Sequence, residues 1–220
     1  MKVAVIGATG LVGSQVVKEL ANRNHQVVAI ARNTEKILDH SNVEKIALDV
    51  NSPELAKHLQ GVDVVVNSFN PGWSNPNLAD DLAKGHENIL KAIKEVNPSY
   101  FLVVGGAGSL FIAPNVQLVD VPDFPKEVYP AANFVRNLLA ELKPRTDINW
   151  AFISPAAMFA GNPEKLSFER TGEYRLGTDD VLFDKDGNPA DISVADLAVA
   201  IADDVEKKAH LHKRFTVASV

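Results

Sequence analysis

The sequence predicts an α/β fold in which a doubly wound parallel sheet carries helices on both faces. Three observations support this prediction. Val3–Ile6 is a short apolar run, three glycines follow it at a spacing of three residues, and an amphipathic helix then begins at Leu11. The first half of the chain alternates such apolar runs with helical patterns, which is typical of parallel strands joined by crossover helices. Beyond Pro155 the pattern changes, which indicates a small C-terminal subregion on the substrate side of the same sheet.

Composition limits the classes of protein. The chain has 220 residues, a length typical of one larger α/β domain, and we expect a single domain over residues 1–220. It has no cysteine, which excludes disulfides, zinc–thiolate sites and a thiol nucleophile. The net charge of −6 argues against a nucleic-acid partner. No apolar run reaches membrane-spanning length and no signal peptide is visible, so we expect a cytoplasmic protein without a membrane partner.

The three glycines form the central motif of the chain. Gly7 permits a tight turn after the first strand, Gly10 has no side chain to keep a phosphate from the backbone, and Gly13 lets the helix pack against the strand. The N–H groups at the helix start carry partial positive charge and suit a diphosphate. Strand, glycine turn and helix therefore predict a dinucleotide-binding site. The predicted contacts in this motif are Gly7, Thr9, Gly10, Leu11, Val12 and Gly13.

The remaining elements follow from apolar runs and turn residues. Ser52 and Pro53 predict a helix start, because serine caps helices and proline suits their first turn. Ser193 likewise predicts the cap of a late helix, with Asp196 as the acid of a capping box. Helices are predicted over 52–61, 77–96, 134–142 and 193–205, after the one that begins at Leu11. Strands are predicted over 3–6, 25–31, 43–50, 62–67, 100–104, 149–154, 174–176, 181–183 and 214–218.

The end of the second strand predicts which dinucleotide binds. An acid at this position usually meets the ribose 2′-hydroxyl of NAD. Here the strand ends in Ala31-Arg32-Asn33, and a guanidinium suits the 2′-phosphate of NADP through charge and forked hydrogen bonds. We therefore expect NADP in preference to NAD. A solvated Arg32 is the alternative, and Glu35 lies near it in the sequence.

With these residues placed, the chain resembles the atypical branch of the short-chain dehydrogenase/reductase superfamily. The glycine motif carries the resemblance to the superfamily. Later segments resemble the NAD(P)H-flavin reductases, which are related to NmrA-like and biliverdin reductase B-type proteins. These segments are Gly105–Leu110, Phe152–Ala157, Arg170–Gly177 and Ile192–Ala198.

The resemblance implies further cofactor contacts. Asp49 and Val50 would touch the adenine, although an aspartate at that point also suits a loop-capping role. The adenosine-ribose side would be lined by Asn67, Ser68 and Phe69. The nicotinamide ribose and ring would be flanked by Gly105, Gly106, Ser154, Pro155 and Ala156.

The catalytic residues of the superfamily match only in part. Its usual pair is a tyrosine and a lysine four residues later, where the lysine lowers the tyrosine pKa. Tyr129 stands at the matching helix start, but the residue four positions on is Asn133, which carries no charge. Ser109 lies near the place of the superfamily's active-site serine and could orient a carbonyl. Tyr129 and Ser109 are therefore the two catalytic candidates, beside the alternatives of a packed aromatic and an ordinary loop serine.

The missing lysine favours one kind of reaction. A flavin or a similar conjugated acceptor delocalises the charge left by a hydride, so solvent can supply the proton. We expect an NADPH-dependent reductase that takes flavin as a substrate rather than as a bound group. An NADP-sensing regulatory protein of NmrA-like type and an NAD-dependent epimerase or dehydratase are the alternatives. His210 and His212 have no third ligand near them in sequence, so no metal site is expected. Monomer and homodimer both stay open.

Two segments leave the carboxyl edge of the predicted sheet, where open α/β sheets bind ligands. Residues 110–130 are proline-rich and predicted to be irregular, and residues 156–195 follow the sixth strand. We expect these segments to form walls around the nicotinamide, with Ser109 at the base and Phe111 or Phe159 against the acceptor ring. Phe69 and Trp73 are the other aromatic candidates.

Overall fold

The computed structural model describes residues 1–159 and 166–220, and ten strands and five α-helices lie within them. The strands are β1 Lys2–Ile6, β2 Gln26–Ala31, β3 Val43–Ala47, β4 Val64–Asn67, β5 Tyr100–Val104, β6 Phe111–Ala113, β7 Val116–Gln117, β8 Trp150–Ser154, β9 Arg175–Gly177 and β10 Arg214–Ala218. The helices are α1 Leu11–Asn22, α2 Leu55–His58, α3 Leu78–Val96, α4 Tyr129–Leu142 and α5 Val194–Lys207. Among these helices none is long and apolar enough to cross a membrane.

Eight of the strands form one sheet in the order β3-β2-β1-β4-β5-β8-β10-β9. All neighbours are parallel except β9, which runs antiparallel to β10 at the edge. The chain winds outward from β1 in one direction and from β4 in the other, so the predicted doubly wound sheet is confirmed. The reversal point lies between β1 and β4, where Ile6 pairs with Asn67. In such sheets the crevice beyond the carboxyl ends at this point is the ligand site.

Alternation along the strands divides the core into two layers. In β1, Val3 and Val5 pack in the layer that contains α1 and α5, whereas Ala4 and Ile6 pack in the layer that contains α2, α3 and α4. Period-two alternation in a sheet covered on both faces produces this division. The sheet is thus packed on both faces up to its carboxyl edge, and this packing positions the residues that follow each strand.

Helix α5 begins as predicted. The Ser193 hydroxyl accepts a hydrogen bond from the Asp196 backbone N–H at 2.9 Å, and Ser193 also donates to the Glu169 carbonyl at 2.6 Å. The cap therefore satisfies a free helix N–H and holds the preceding segment at the same time.

Helix α4 begins five residues earlier than predicted, at Tyr129 rather than Phe134. Pro130 suggested that the chain stays irregular up to that point. Proline is accepted in the first turn of a helix, however, because its missing N–H would have no intrahelical partner there. Tyr129 is therefore a first-turn residue of α4.

The segment 110–130 is also more regular than predicted. Strands β6 and β7 form a small antiparallel hairpin, and a 3-10 turn over Leu118–Asp120 follows it. In the second predicted wall, β9 begins and ends one residue later than the strand predicted over 174–176. Phe183 forms only an isolated bridge with Pro189. Residues 160–165 of that wall lie outside the described residues.

Candidate functional site

The glycine turn connects β1 to α1, and backbone hydrogen bonds hold it against β2. The N–H groups of Gly7 and Ala8 both donate to the Ile30 carbonyl, at 3.0 and 3.1 Å. Gly7 has a φ of +80°, which favours glycine, and a Cβ there would lie 2.5 Å from the Ser68 carbonyl oxygen. A Cβ at Gly13 would lie 2.1 Å from the Gly7 carbonyl oxygen. Close packing within the protein therefore requires glycine at both positions.

Gly10 has different surroundings. A Cβ at Gly10 would have one neighbour within 4 Å among the described residues, the Gly7 carbonyl oxygen at 3.2 Å. Gly10 is exposed and is the N-cap of α1, and within the described part of the chain no side chain caps this helix and no acid lies in its first turn. The first-turn N–H groups therefore face an open approach, which suits a diphosphate. Thr9, Leu11 and Val12 flank Gly10 and are partly exposed.

Arg32 follows β2 on the exposed surface, and within residues 1–159 and 166–220 its side chain has no hydrogen-bond or ion-pair partner. Its neighbour Asn33 accepts a hydrogen bond from the Glu35 N–H at 2.9 Å, so Glu35 turns back on Asn33.

Asp49, exposed after β3, accepts a hydrogen bond from the Asn51 N–H at 2.8 Å, and Val50 is buried. The loop-capping role thus accounts for one Asp49 oxygen, and the adenine contact stays a prediction.

The end of β4 lies directly beside the glycine turn. Ser68 donates to the Ile6 carbonyl at 3.1 Å, which joins the ends of β1 and β4. Asn67 is 1% exposed, and its side-chain oxygen accepts a hydrogen bond from the Phe69 N–H at 3.1 Å. Its amide nitrogen has no partner among the described residues. The Phe69 ring packs against His86, and burial lowers the pKa of His86 to about 4, so this histidine is neutral near pH 7.

The two predicted walls meet beyond β5 and β8. The Phe111 N–H donates to the Asp179 carbonyl at 2.9 Å, and the Val181 N–H donates to the Phe111 carbonyl at 2.9 Å. An open depression of about 390 Å³ lies along this junction, between the β6–β7 hairpin and residues 180–183. Phe159 packs against the core, and Trp73 is largely exposed.

Gly105 and Gly106 line the start of the first wall in different ways. A Cβ at Gly105 would lie 2.1 Å from the Phe152 ring, so packing requires glycine there. A Cβ at Gly106 would meet only a Val135 methyl at 3.8 Å among the described residues. Gly106 therefore resembles Gly10 in leaving its backbone approachable. Ser154 is the last residue of β8, Pro155 and Ala156 follow it, and all three are buried.

The two catalytic candidates are placed differently. Ser109 ends the turn after β5 and is 2% exposed, and its hydroxyl accepts a hydrogen bond from Arg214 at 3.3 Å. Tyr129 is 41% exposed, and its ring lies edge-on to Phe124 at a centroid distance of 6.5 Å. Asn133 accepts a hydrogen bond from Arg136. Neither Ser109 nor Tyr129 is tested by this geometry alone, so both stay predictions.

Two sets of contacts were not predicted from the sequence. One is formed by Arg214 with Ser109 and Asp179, and the other is formed by the Arg170–Gly177 motif. Arg170 donates two hydrogen bonds to buried Glu19 of α1, at 2.8 and 2.9 Å. The next two residues, Thr171 and Gly172, donate to Asp196 of α5 at 2.7 and 2.8 Å. The motif therefore attaches the second wall to both helices of one layer. The acid at 19 and the arginine at 170 carry no local signal that pairs them.

His210 and His212 have structural partners near β10. His210 bonds to buried Asp204 at 2.6 Å and stacks on Phe215, and His212 bonds to the Ile148 carbonyl at 3.0 Å. In the residues that the structure describes, no three histidine, aspartate or glutamate side chains cluster as metal ligands.

The fold and the open glycine turn together define a dinucleotide-binding protein of the Rossmann type. A family model described as NAD(P)H-binding matches residues 7–205, and the chain belongs to that family. The predicted resemblance to atypical short-chain dehydrogenases/reductases is thereby confirmed.

Individual relatives resemble nearly the whole chain. The uncharacterized protein YwnB of Bacillus subtilis (strain 168) is 38% identical over 225 residues, which cover 100% of this chain and 99% of that protein. A solved structure of a putative epimerase from Bacteroides thetaiotaomicron is 36% identical with a TM-score of 0.89, over 100% of this chain and 97% of that one. A putative NADH-flavin reductase from Streptococcus pneumoniae TIGR4 is 34% identical with a TM-score of 0.85, over 100% of both chains.

Proposed function

We propose that this protein is an NADPH-dependent reductase that transfers a hydride directly to flavin or to a related small conjugated acceptor. The observation that carries the proposal is the difference between the glycines of the turn. Packing explains Gly7 and Gly13, whereas Gly10 leaves an uncapped helix start open beside the carboxyl edge of the sheet. An open anion site at the reversal point of a doubly wound sheet favours a diphosphate.

Arg32 supports NADP as the dinucleotide. Its exposed guanidinium follows β2, where a 2′-phosphate would lie, and it has no partner among the described residues. Glu35, the acid that could have opposed this role, is within hydrogen-bond reach of Asn33. A free cation of this kind can form charge-assisted hydrogen bonds with a phosphate.

The walls support a flat acceptor. Residues Phe111 and Asp179–Val181 join beyond β5 and β8, on the edge where the nicotinamide would lie. Phe111 is half-buried there and can offer an aromatic face to a ring, whereas Phe159 follows β8 and is partly exposed beside its packing against the core. The Streptococcus pneumoniae relative is described as a putative NADH-flavin reductase, and that description agrees with this class of acceptor.

The proton chemistry separates the proposal from the epimerase alternative. Oxidation of a sugar hydroxyl needs a strong base at the reacting oxygen. At the position of the activating lysine this chain has Asn133, whose side-chain oxygen is bonded to Arg136. The reduced nicotinamide supplies a hydride, and a conjugated acceptor can hold the resulting charge until solvent protonates it. The protein then has to hold the two rings face to face and stabilise the charge until solvent supplies the proton.

Turnover and binding assays test the proposal. Purified protein should oxidise NADPH when FMN, FAD or riboflavin is present under anaerobic conditions, and NADH more slowly. The Gly10→Val variant is the matched control, because it closes the phosphate approach and should abolish both binding and turnover. Tight NADPH binding with no oxidation across a broad panel of acceptors would instead support the NADP-sensing alternative. Turnover of nucleotide sugars would support the epimerase.

A further inference from the structure

Arg214, the first residue of β10, is buried below the junction of the two walls. Its side chain is 2% exposed. It donates to the Asp179 carboxylate at 2.5 and 2.9 Å and to the Asp179 carbonyl at 3.2 Å. It also donates to the Ser109 hydroxyl at 3.3 Å, to the Ser109 carbonyl at 3.5 Å and to the Ser154 hydroxyl at 3.3 Å. One guanidinium therefore joins the ends of β5 and β8 to the second wall.

The direction of these hydrogen bonds determines what Ser109 can do. A guanidinium has five N–H donors and no acceptor, so the Ser109 oxygen must accept from Arg214. The Ser109 proton is then directed away from Arg214. Within residues 1–159 and 166–220 that proton has no acceptor. A hydroxyl whose oxygen accepts from a cation is polarised and becomes a better donor to a third group.

The charges of the pair are unequally exposed. The Asp179 side chain is 52% exposed, whereas that of Arg214 is 2% exposed. Asp179 contacts the Nε and Nη2 groups of Arg214 and so offsets much of its charge. The Nη1 group is directed instead at the hydroxyls of Ser109 and Ser154, and it is therefore the part of Arg214 that polarises Ser109.

We propose that Arg214 is a positioning residue that holds Ser109 as a hydrogen-bond donor toward the reduced acceptor. This inference rests on the proposed function. NADPH loses a hydride, that is two electrons and one proton, and becomes NADP⁺, while the acceptor ring gains them and carries one negative charge. Ser109, polarised by Arg214, donates to the atom that carries this charge, and a solvent proton then neutralises it. A fixed donor aimed at developing charge is an effective form of catalysis.

A double-mutant cycle tests the inference. Arg214→Met, Ser109→Ala and the double variant are compared with Arg145→Met, a control in which the lost ion pair with Asp147 is remote from the site. We expect Arg214→Met to lower kcat with FMN by about 10- to 100-fold. This loss should not exceed the loss in kcat caused by removing a group that donates directly to the developing charge. We expect little change in NADPH affinity, no effect of Arg145→Met, and no further loss when Arg214→Met is added to Ser109→Ala.

A binding measurement provides a readout that does not depend on turnover. Titration of NADP⁺-loaded protein with oxidised and with reduced FMN, in the absence of oxygen, compares a neutral ring with an anionic one. Arg214→Met should weaken binding of reduced FMN at least about fivefold more than binding of oxidised FMN, whereas a purely structural role would weaken both equally. Arg214→Lys keeps the charge but not the forked geometry, and it should show a smaller loss of the same kind. If Arg214→Met does not fold, Arg214→Lys is used for the same measurement.

The outcomes separate this inference from the proposed function. If the unmodified protein reduces FMN but the Arg214 and Ser109 effects multiply independently, or if both forms of FMN lose affinity equally, the inference is wrong and the reductase proposal stands. If the unmodified protein binds neither form of FMN and oxidises NADPH with no acceptor of the panel, the reductase proposal is wrong and the inference falls with it.

Discussion

Gly13 packs so closely against Gly7 that a Cβ at Gly13 would lie 2.1 Å from the Gly7 carbonyl oxygen. Gly10, midway between them, would place its Cβ 3.2 Å from the same oxygen and otherwise in open space among the described residues. One glycine motif therefore contains positions under two different constraints. Two are required by packing within the protein, and the third is free to be required by a ligand.

This difference predicts opposite results for two substitutions. Gly13→Ala should destabilise the protein by about 1–3 kcal/mol or more, because a backbone oxygen cannot move away from the new methyl group. Gly10→Val should leave the fold largely intact, with a smaller loss of stability in urea than Gly13→Ala, and it should abolish NADPH binding measured by calorimetry. Unchanged affinity in a folded Gly10→Val protein would show that the diphosphate binds elsewhere.

Arg32→Ala should weaken NADPH binding by about 1.5–3 kcal/mol, the range for a lost hydrogen bond to a charged group, and NADH binding far less. Calorimetric titration with both dinucleotides measures the difference. Lys36→Ala, which removes an exposed cation four residues on, is the matched control. Equal losses for NADPH and NADH would rule out the 2′-phosphate role.

Tyr129→Phe should lower kcat with FMN by less than about tenfold, or ~1.4 kcal/mol. The reason is that Asn133 supplies no charge that would activate the phenol, and its side-chain oxygen is already bonded to Arg136. Steady-state kinetics at saturating NADPH provide the measurement. A loss of about 10²-fold or more, typical of general acid catalysis, would restore Tyr129 as the proton donor.

Phe111→Ala and Phe159→Ala should raise KM for flavin several-fold and leave NADPH affinity nearly unchanged, because stacking contributes about 0.5–1.5 kcal/mol beyond burial. Phe168→Ala is the control, since Phe168 is an exposed phenylalanine of the second wall that does not line the depression. Normal flavin kinetics with a lowered melting temperature would mean that Phe111 and Phe159 only pack. The site would then have a different second face.

The contact between Arg170 and Glu19 predicts a pH effect on stability. The hydrogen bonds from Arg170 lower the pKa of Glu19 below its ordinary value of 4.5, against the opposing effect of burial. The contact is therefore at full strength above pH 4.5, and it is lost as the pH falls because the unfolded chain takes up the proton first. Arg170→Met should reduce stability by about 1–3 kcal/mol at pH 7 and by less at pH 3.

Urea unfolding of the unmodified protein and of Arg170→Met, from pH 7 to pH 3, measures how the difference in their stability changes with pH. His86 adds a loss in the same direction between its ordinary pKa of 6.5 and its lowered value of about 4, but both proteins contain His86, so its effect cancels. A stability difference that does not shrink on acidification would exclude Glu19 as the titrating partner.

The sequence predicted those parts of the protein that depend on neighbouring residues. The strand β1, the glycine turn and the Ser193 cap all follow from patterns within about ten residues, and the structure has them where they were predicted. The start of α4 was missed because Pro130 ends a proline-rich stretch that predicts an irregular chain, although the φ of proline suits the first turn of a helix. The β6–β7 hairpin was missed because short strands without strong alternation do not differ visibly from a loop.

The contacts that organise the site could not be predicted in this way. Arg214 and Ser109 are 105 positions apart, and Arg170 and Glu19 are 151 positions apart. An arginine at the start of a strand normally predicts a solvated side chain, since charged residues are rarely buried unless paired. Only the folded chain supplies these pairs, so the partners of Arg214 and Arg170 were not visible in the sequence.

The position of β10 in the sheet has a consequence for biosynthesis. β10 is the last of the ten strands to leave the ribosome, yet it lies between β8 and β9 rather than at the edge. A nascent chain can complete the glycine turn and its flanking strands long before Arg214 has been translated. During that interval β9 has no neighbouring strand, and the turn after β5 lacks its hydrogen bond from Arg214. Translation of the last strand would thus be the step that completes the sheet and joins the two walls.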